Sequence, residues 1–310
     1  MTYQKEIAAL KRRGVAVEVI RDFKGLERIR NEFVVGHHGN KIQFLIVIGS
    51  PGTGKTHTFQ NIQGTAFTNN AASPVGLYQW VYESKRFDPQ VEDMPLIVDD
   101  VDGLFENRAA SSLFKALGND SGQKINGHIV KIMSWLKQNS QLLRAIGPSY
   151  KQYTTTSRLC VLMNDIPKMR RDVQAVFDRA HVVIFEPTAQ AVHDYVQTWK
   201  AIDKDIMDYI GNNLHRIVAP SCRWYTRARN QKNLGRDWKQ YLFDAWVDEG
   251  GAVAIVGEIR NNPKFDTFKL QVAEFQRRTG LKRASYNLYL QQYKEAQGIG
   301  DEAKLAHSAH

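Results

Sequence analysis

An eight-residue segment at positions 49–56, Gly-Ser-Pro-Gly-Thr-Gly-Lys-Thr, has residue types and spacing suited to holding phosphate groups. Gly52 and Gly54 lack a Cβ, so the backbone N–H groups of the segment can converge on a phosphate. Lys55 would contact the β- and γ-phosphates of a nucleotide, and the hydroxyl of Thr56 would hold Mg²⁺. The predicted nucleotide-binding residues are Gly49, Ser50, Pro51, Gly52, Thr53, Gly54, Lys55, Thr56 and His57.

Two adjacent carboxylates, Asp99 and Asp100, follow a short apolar segment that begins at residue 96. A phosphate loop of this kind works together with a carboxylate at the end of a neighbouring strand, which organises the metal ion. Asp99 is the candidate for that role, and Asp100 is the candidate for orienting and deprotonating an attacking water. An exposed acidic turn is the alternative interpretation of the pair.

Several apolar runs along the chain have the composition of buried parallel strands. They lie at residues 42–48, 96–98, 159–163 and 182–185, and residues 65–67 give one more short strand. Helical patterns lie between them, for example at residues 57–62, 111–117 and 129–143. Alternating strands and helices predict an α/β core with a parallel, five-stranded sheet.

Composition favours a globular protein in a reducing compartment. The 310 residues include 43% hydrophobic and 24% charged residues, and two cysteines without metal-type spacing. We expect no membrane span, because no run of eighteen apolar residues exists, and no secretory signal at the N-terminus. The formal net charge of +10 favours polyanionic partners, nucleic acid first.

The order of these motifs resembles that of AAA+ ATPases over about residues 40–247. Asp100 stands where glutamate is commoner, but an Asp-Asp pair also occurs in the initiator and helicase-loader clade. Other stretches are similar to uncharacterised phage and plasmid ATPases of this class. The resemblance implies ATP and Mg²⁺ as cofactors, and hydrolysis at the interfaces of a homo-oligomeric ring or spiral.

The same resemblance implies roles for three further residues. Asn164, which ends the apolar run at 159–163, corresponds to sensor 1, although Asn-Asp-Ile-Pro is also a turn sequence. Arg179 matches an arginine finger that would reach a neighbouring subunit. Arg179 could instead bind the carbonyls at the end of its own helix, and Arg170 and Arg171 are rivals for the finger. Arg223 matches the sensor 2 arginine, with Arg227 as the alternative.

The chain divides by these patterns into five segments. Residues 1–40 form a helical lead-in, residues 41–187 the nucleotide-binding domain and residues 188–249 a helical lid. Residues 250–298 form a C-terminal helical domain, and residues 299–310 a flexible tail.

The C-terminal domain carries a helix-turn-helix pattern, with helices over residues 268–278 and 282–296 around Thr-Gly-Leu. Its second helix would present Lys282, Arg283, Ser285 and Asn287 to DNA. A helical hairpin for contacts between subunits is the alternative. Six basic residues between positions 223 and 239 could also face DNA, or could form a solvated helix face.

The leading hypothesis is a cytoplasmic, DNA-associated AAA+ ATPase of a bacterium, phage or plasmid. It would serve replication initiation, helicase loading or DNA remodelling, with a protein client such as a helicase. One alternative is a protein-remodelling chaperone, for which residues 77–80 (Leu-Tyr-Gln-Trp) lie in the interval where an exposed pore aromatic is expected. Another is a slow nucleotide-dependent switch.

Overall fold

The computed structural model of the chain describes residues 3–35, 41–69, 73–86, 88, 91–135, 138–247 and 251–296. The predicted flexible tail at residues 299–310 lies outside these ranges. The chain divides into two compact units, Met1–Pro187 and Thr188–His310. No described helix is long and apolar enough to cross a bilayer.

The first unit is built on a six-stranded parallel sheet in an α/β arrangement compatible with a Rossmann-like core. Its strands are β1 (Val17–Ile20), β2 (Phe44–Ile48), β3 (Ala66–Thr68), β4 (Leu96–Asp99), β9 (Leu159–Met163) and β10 (His181–Phe185). They lie in the order β1-β10-β2-β9-β4-β3. All five residues of β2 and of β9 are buried, as expected for central strands covered on both faces. The parallel arrangement brings the residues that follow these strands to one edge of the sheet.

The prediction of five strands was wrong, because residues 17–20 add a sixth. The lead-in at residues 1–40 is therefore not only helical: β1 lies between α1 (Gln4–Arg12) and α2 (Phe23–Val34). β1 is an edge strand with Glu18 in its middle, and only Ile20 is buried. Because an edge strand needs no continuous apolar run, its sequence lacked the signal that marked the central strands.

The helix predicted over residues 129–143 was wrong for most of its length, and of its described residues only 140–143 are helical. This region contains two antiparallel pairs, β5 (Lys124–Ile125) with β6 (His128–Ile129) and β7 (Lys131–Ser134) with β8 (Gln152–Thr155). Burial alternates along β7 with a period of two, so Lys131 and Met133 point inward. The turn between β5 and β6 is Asn-Gly, with positive φ at both residues, which is a strong hairpin signal.

Helices pack on the sheet of the first unit. After α1 and α2 come α3 (Lys55–Phe59), α4 (Pro74–Glu83), α5 (Arg108–Leu117), α6 (Ser140–Ile146) and α7 (Arg171–Phe177). Residues of α1, α4, α5 and α7 share one apolar core with Ile46 and Ile48 of β2 and Val161 of β9. The buried sheet therefore forms a rigid base for the loops at its edges.

The described part of the second unit is helical and contains no strand. Its helices are α8 (Ala189–Gln197), α9 (Lys204–Gly211), α10 (Arg223–Asn233), α11 (Trp238–Trp246), α12 (Ala252–Arg260), α13 (Phe268–Thr279) and α14 (Arg283–Ala296). The last three pack around an apolar core that includes Ile255, Phe275 and Tyr286. Glu258 of α12 accepts hydrogen bonds from His215, Arg216 and Arg278, which ties this core to the 3-10 helix Leu214–Arg216.

Candidate phosphate-binding site

The loop after β2 has the backbone conformation that its glycines allow. Gly52 and Gly54 have φ values of 79° and 94°, in the left-handed region that favours glycine. Gly49 is needed for a different reason: a Cβ there would lie 2.5 Å from the carbonyl oxygen of Phe185, on the neighbouring strand β10. The two central glycines therefore shape the loop, and Gly49 lets it start close to the sheet.

Lys55 folds back over this loop. Its side chain is buried, with the residue only 5% exposed, and Nζ donates to the carbonyl oxygens of Gly49 and Ser50, the latter at 3.1 Å. Nζ also lies 3.4 Å from Oδ1 of Asn164, at the end of β9. An ammonium group that donates to backbone carbonyls can exchange them for the oxygens of a phosphate.

Thr56 and Asp99 come together at the same edge of the sheet. The hydroxyl of Thr56 donates to Oδ2 of Asp99 at 2.6 Å. Hydroxyl and carboxylate oxygens are the donors that Mg²⁺ prefers, and protein Mg²⁺ sites are usually completed by phosphates and waters. The pair therefore fits a Mg²⁺ ion held jointly with a phosphate. No group of three or more His, Cys, Asp or Glu residues suited to a metal occurs in the described ranges.

Asp100 and Asn164 form the outer part of the cluster. Nδ2 of Asn164 donates to Oδ1 of Asp100 at 3.2 Å, so the Asn164 carboxamide bridges Asp100 and Lys55. Asp100 has a φ of 56°, a left-handed conformation that is uncommon without glycine but more frequent for Asp and Asn. This conformation turns the side chain of Asp100 away from the direction that an extended strand would give it.

The remaining loop residues have supporting positions. Thr53 is buried and its hydroxyl donates to the carbonyl oxygen of Ser50 at 2.8 Å, whereas Pro51 and His57 are exposed. Helix α3 has only five residues and is shorter than the helix predicted at 57–62. A helix this short has only a small dipole with which to attract an anion at its N-terminus. A phosphate bound here would therefore be held mainly by loop N–H groups and Lys55.

The three candidate finger arginines differ in what they contact. Arg170 donates to the carbonyl oxygens of Phe105 and Glu106 and pairs with Asp172, so it links parts of its own unit. Arg171 and Arg179 are exposed, and Nη1 of Arg179 donates to the carbonyl oxygen of Ala175, within its own helical segment.

Arg179 lies at the amino-terminal ends of the strands, whereas the loop at residues 49–56 lies at their carboxyl-terminal ends. It precedes β10, and β10 runs parallel to β2 with His181 opposite Leu45. A five-residue strand is about 16 Å long. Arg179 is therefore not brought to the loop of its own chain.

The predicted sensor 2 residues lie in the second unit. Arg223 is the first residue of α10 and is exposed, and its N–H donates to the Ser221 hydroxyl at 3.2 Å. The guanidinium of Arg227 lies over the ring of Trp224, 5.2 Å from its centroid. Among the other basic residues, Lys232 pairs with Asp203 and Asp205.

The predicted nucleic-acid contacts lie around the start of α14. Lys282 is in the turn before this helix, Arg283 and Asn287 are exposed, and Ser285 is partly buried. The turn begins at Gly280, which caps α13 with a φ of 70°. The two helices predicted over residues 268–278 and 282–296 are present as α13 and α14.

Tyr3 contacts the site but was not among the predicted residues. Its hydroxyl donates to the carbonyl oxygen of Asn164 at 2.5 Å, and its N–H donates to Oε1 of Glu186 at 3.1 Å. A single tyrosine close to the N-terminus belongs to no recognisable motif. Its contact depends on how α1 packs on the sheet, which sequence patterns do not give.

A scan of known protein families found no match to this sequence, and a search of the curated proteins found none either.

Proposed function

We propose that this protein binds and hydrolyses ATP with Mg²⁺, as an AAA+ ATPase. The observation that carries the proposal is the meeting of five polar side chains at one edge of the sheet. Thr56 lies 2.6 Å from Asp99, and Asn164 lies between Lys55 and Asp100. These residues lie at or beyond the ends of three different strands, so their meeting is not a consequence of local sequence.

Each residue has a chemical role in the proposed reaction. Lys55 would leave its carbonyl partners and bind the β- and γ-phosphates. Thr56 and Asp99 would hold Mg²⁺, which when bound neutralises charge on the phosphate oxygens. Asn164 would orient the attacking water, and Asp100 would accept a proton from it. Asp100 is next to Asn164, which supports this division of roles.

A shared site between subunits is part of the proposal. Arg179 lies at the sheet edge opposite the loop of its own chain, so a finger at this position has to act on a neighbouring copy. Such an arginine contributes roughly 10³–10⁵ in rate to phosphoryl transfer. Arg223, at the start of α10, is the residue proposed for the sensor 2 role.

Two substitutions test the ATPase proposal. Lys55→Ala should abolish binding of ATP, whereas Asp100→Asn should retain binding but stop turnover. Binding is measured with a fluorescent ATP analogue and turnover by phosphate release, with GTP assayed in parallel. Asp120→Asn is a matched control, since Asp120 is an exposed acid of the same unit. Hydrolysis at the wild-type rate by either site variant would exclude the proposed mechanism.

DNA association is the second part of the proposal, in replication initiation, helicase loading or DNA remodelling. It is supported by the turn at Gly280 between α13 and α14 and by the exposed Arg283 and Asn287. We expect ATPase activity to rise with DNA, and DNA affinity to fall steeply with salt. Arg283→Ala should weaken binding, whereas Arg277→Ala should not, because Arg277 pairs with Glu274. Salt-independent binding would contradict this part.

A chaperone function is less well supported. Leu77 and Tyr78 of the interval proposed for a pore aromatic lie within α4 and are fully buried. The fully buried Tyr78 cannot contact a client chain, and Trp80, the other aromatic of the interval, is partly buried against the core of the first unit. A slow nucleotide switch differs from the proposed ATPase in turnover, so the same phosphate-release assay separates them.

A further inference from the structure

The segment at residues 164–170 connects β9 to α7, carries Asn164 and has no regular secondary structure. Tyr3 and Arg13, which flank α1, contact the two ends of this segment. The hydroxyl of Tyr3 donates to the carbonyl oxygen of Asn164 at 2.5 Å. Nη1 of Arg13 donates to the carbonyl oxygen of Met169 at 3.0 Å. The N-terminal helix therefore spans this segment and binds it at both ends.

Tyr3 is itself held firmly. The residue is only 4% exposed and packs in the core of the first unit. Its N–H donates to Oε1 of Glu186, which follows β10, and its carbonyl oxygen accepts from the N–H of Ile7. Since Asn164 follows β9, Tyr3 links the ends of two strands of the sheet. A buried side chain with fixed partners can restrain the peptide that it contacts.

The restrained peptide is the one that carries the Asn164 side chain. That side chain lies 3.4 Å from Nζ of Lys55 and 3.2 Å from Oδ1 of Asp100. A shift of this backbone would displace the Cα of Asn164 and with it the carboxamide, away from both groups. A displacement of about 1 Å at a catalytic group can cost roughly 10²-fold in rate.

We propose that Tyr3 is a positioning residue for Asn164, and that α1 clamps the segment at residues 164–170 through Tyr3 and Arg13. The catalytic part of this inference rests on the proposed ATPase function, whereas the clamp itself does not. Arg13 is exposed, so its contribution is smaller than that of the buried Tyr3.

The clamp is tested with two matched substitutions in the full chain. Tyr3→Phe removes one buried hydroxyl that donates to a backbone carbonyl. Tyr153→Phe removes a hydroxyl of the same kind. The hydroxyl of Tyr153, a residue of β8, donates to the carbonyl oxygen of Tyr78 at 2.8 Å. We expect similar changes in melting temperature. Hydrogen exchange at residues 164–170 should rise only in Tyr3→Phe. Equal exchange in both variants would overturn the clamp.

Turnover tests the positioning role. Tyr3→Phe should lower kcat by about 3–10-fold and change KM for ATP by less than about twofold, because binding does not need the oriented carboxamide. In an Asn164→Ala background the same substitution should change kcat by less than about 1.5-fold, since coupled residues do not add. Arg13→Ala should lower kcat less than Tyr3→Phe does. Arg12→Ala, a change at the neighbouring exposed arginine, should leave kcat unchanged.

The outcomes separate the two proposals. A full effect of Tyr3→Phe in the Asn164→Ala background, or an equal loss in Tyr153→Phe, would show a general loss of structure and overturn the positioning role. If the wild-type protein hydrolyses no nucleotide, the ATPase function fails and the positioning role fails with it. Hydrogen exchange at residues 164–170 then still decides whether α1 clamps the segment.

Discussion

The hydroxyl oxygen of Thr56 lies 2.6 Å from Oδ2 of Asp99, although 43 residues separate them in the chain. The contact exists because β2 and β4 lie on either side of β9 in a parallel sheet, so both strands end at the same edge. It places two oxygen atoms that could bind a metal ion side by side.

Thr56→Val keeps the β-branched shape but removes the oxygen that would bind Mg²⁺. We expect Mg²⁺ affinity in the presence of nucleotide to fall by at least about tenfold, the lower end of what a supporting residue contributes to a metal site. Binding of nucleotide without Mg²⁺ should change little. Titration of Mg²⁺ against a fluorescent nucleotide measures both. Thr198→Val, an exposed threonine of the second unit, should leave the titration unchanged.

Arg179→Ala should lower turnover by about 10³-fold while ATP binding persists, because an arginine finger acts on the transition state. Mixing this variant with Lys55→Ala should restore activity, since the second variant supplies an intact arginine to the first variant's phosphate site. Steady-state rates of the mixture against each variant alone measure the effect. In a mixture of Arg179→Ala with wild type, activity that rises only in proportion to the wild-type fraction would argue against a shared site.

Arg171 is the remaining exposed rival for this role. If Arg171→Ala shows the complementation with Lys55→Ala and Arg179→Ala does not, the finger is Arg171. Arg170→Ala should instead lower thermal stability, because Arg170 binds two carbonyl oxygens and Asp172 within its own unit.

Gly49→Ala should destabilise the first unit by about 1–3 kcal/mol, the usual cost of overpacking. The added Cβ would meet the carbonyl oxygen of Phe185 at 2.5 Å, and backbone on a central strand cannot move away cheaply. Gly103→Ala is the control, since a Cβ there meets nothing within 4 Å. Denaturant unfolding compares the two, and equal free energies of unfolding would contradict the close approach.

The lowered pKa of the buried Lys131 should make the stability of the first unit depend on pH. Burial lowers the pKa of this ammonium group from its ordinary value of 10.5 to about 7. Between these pH values the unfolded chain binds more protons at Lys131 than the folded chain does. The free energy of unfolding therefore gains a contribution that rises with pH in this window, by up to about 1.4 kcal/mol per pH unit.

Lys131→Met should remove this contribution and lower the slope of the stability profile relative to wild type between about pH 7 and 10. The buried thiols of Cys160 and Cys222, whose pKa values burial raises, contribute with the opposite sign in the upper part of this window in both proteins. Lys85, whose pKa burial also lowers, would leave a residual slope of the same sign. Lys124→Met replaces an exposed lysine of the adjacent hairpin and should keep the wild-type slope. Denaturant unfolding at a series of pH values measures the profiles. An unchanged slope in Lys131→Met would show that Lys131 stays protonated in the folded state.

Sequence patterns were most informative where burial is complete. The apolar runs at 42–48, 96–98, 159–163 and 182–185 became the four inner strands of the sheet, because strands covered on both faces need continuous apolar residues. The glycines at 52 and 54 have the left-handed backbone that their motif requires. These features depend on local chemistry, so the sequence alone determined the α/β core and the position of the phosphate loop within it.

Only the tertiary structure decided which side chains meet. β1 was missed because an edge strand carries no continuous apolar run. β7 was missed because the polar Lys131 points inward and the apolar Ile132 outward, so its sequence lacks the alternation of a strand. The contact of Tyr3 with Asn164 spans 161 residues and depends on the packing of α1. Strand order brought Thr56 to Asp99 and placed Arg179 at the far edge. Periodicity describes how a segment is buried, but not which distant segment buries it.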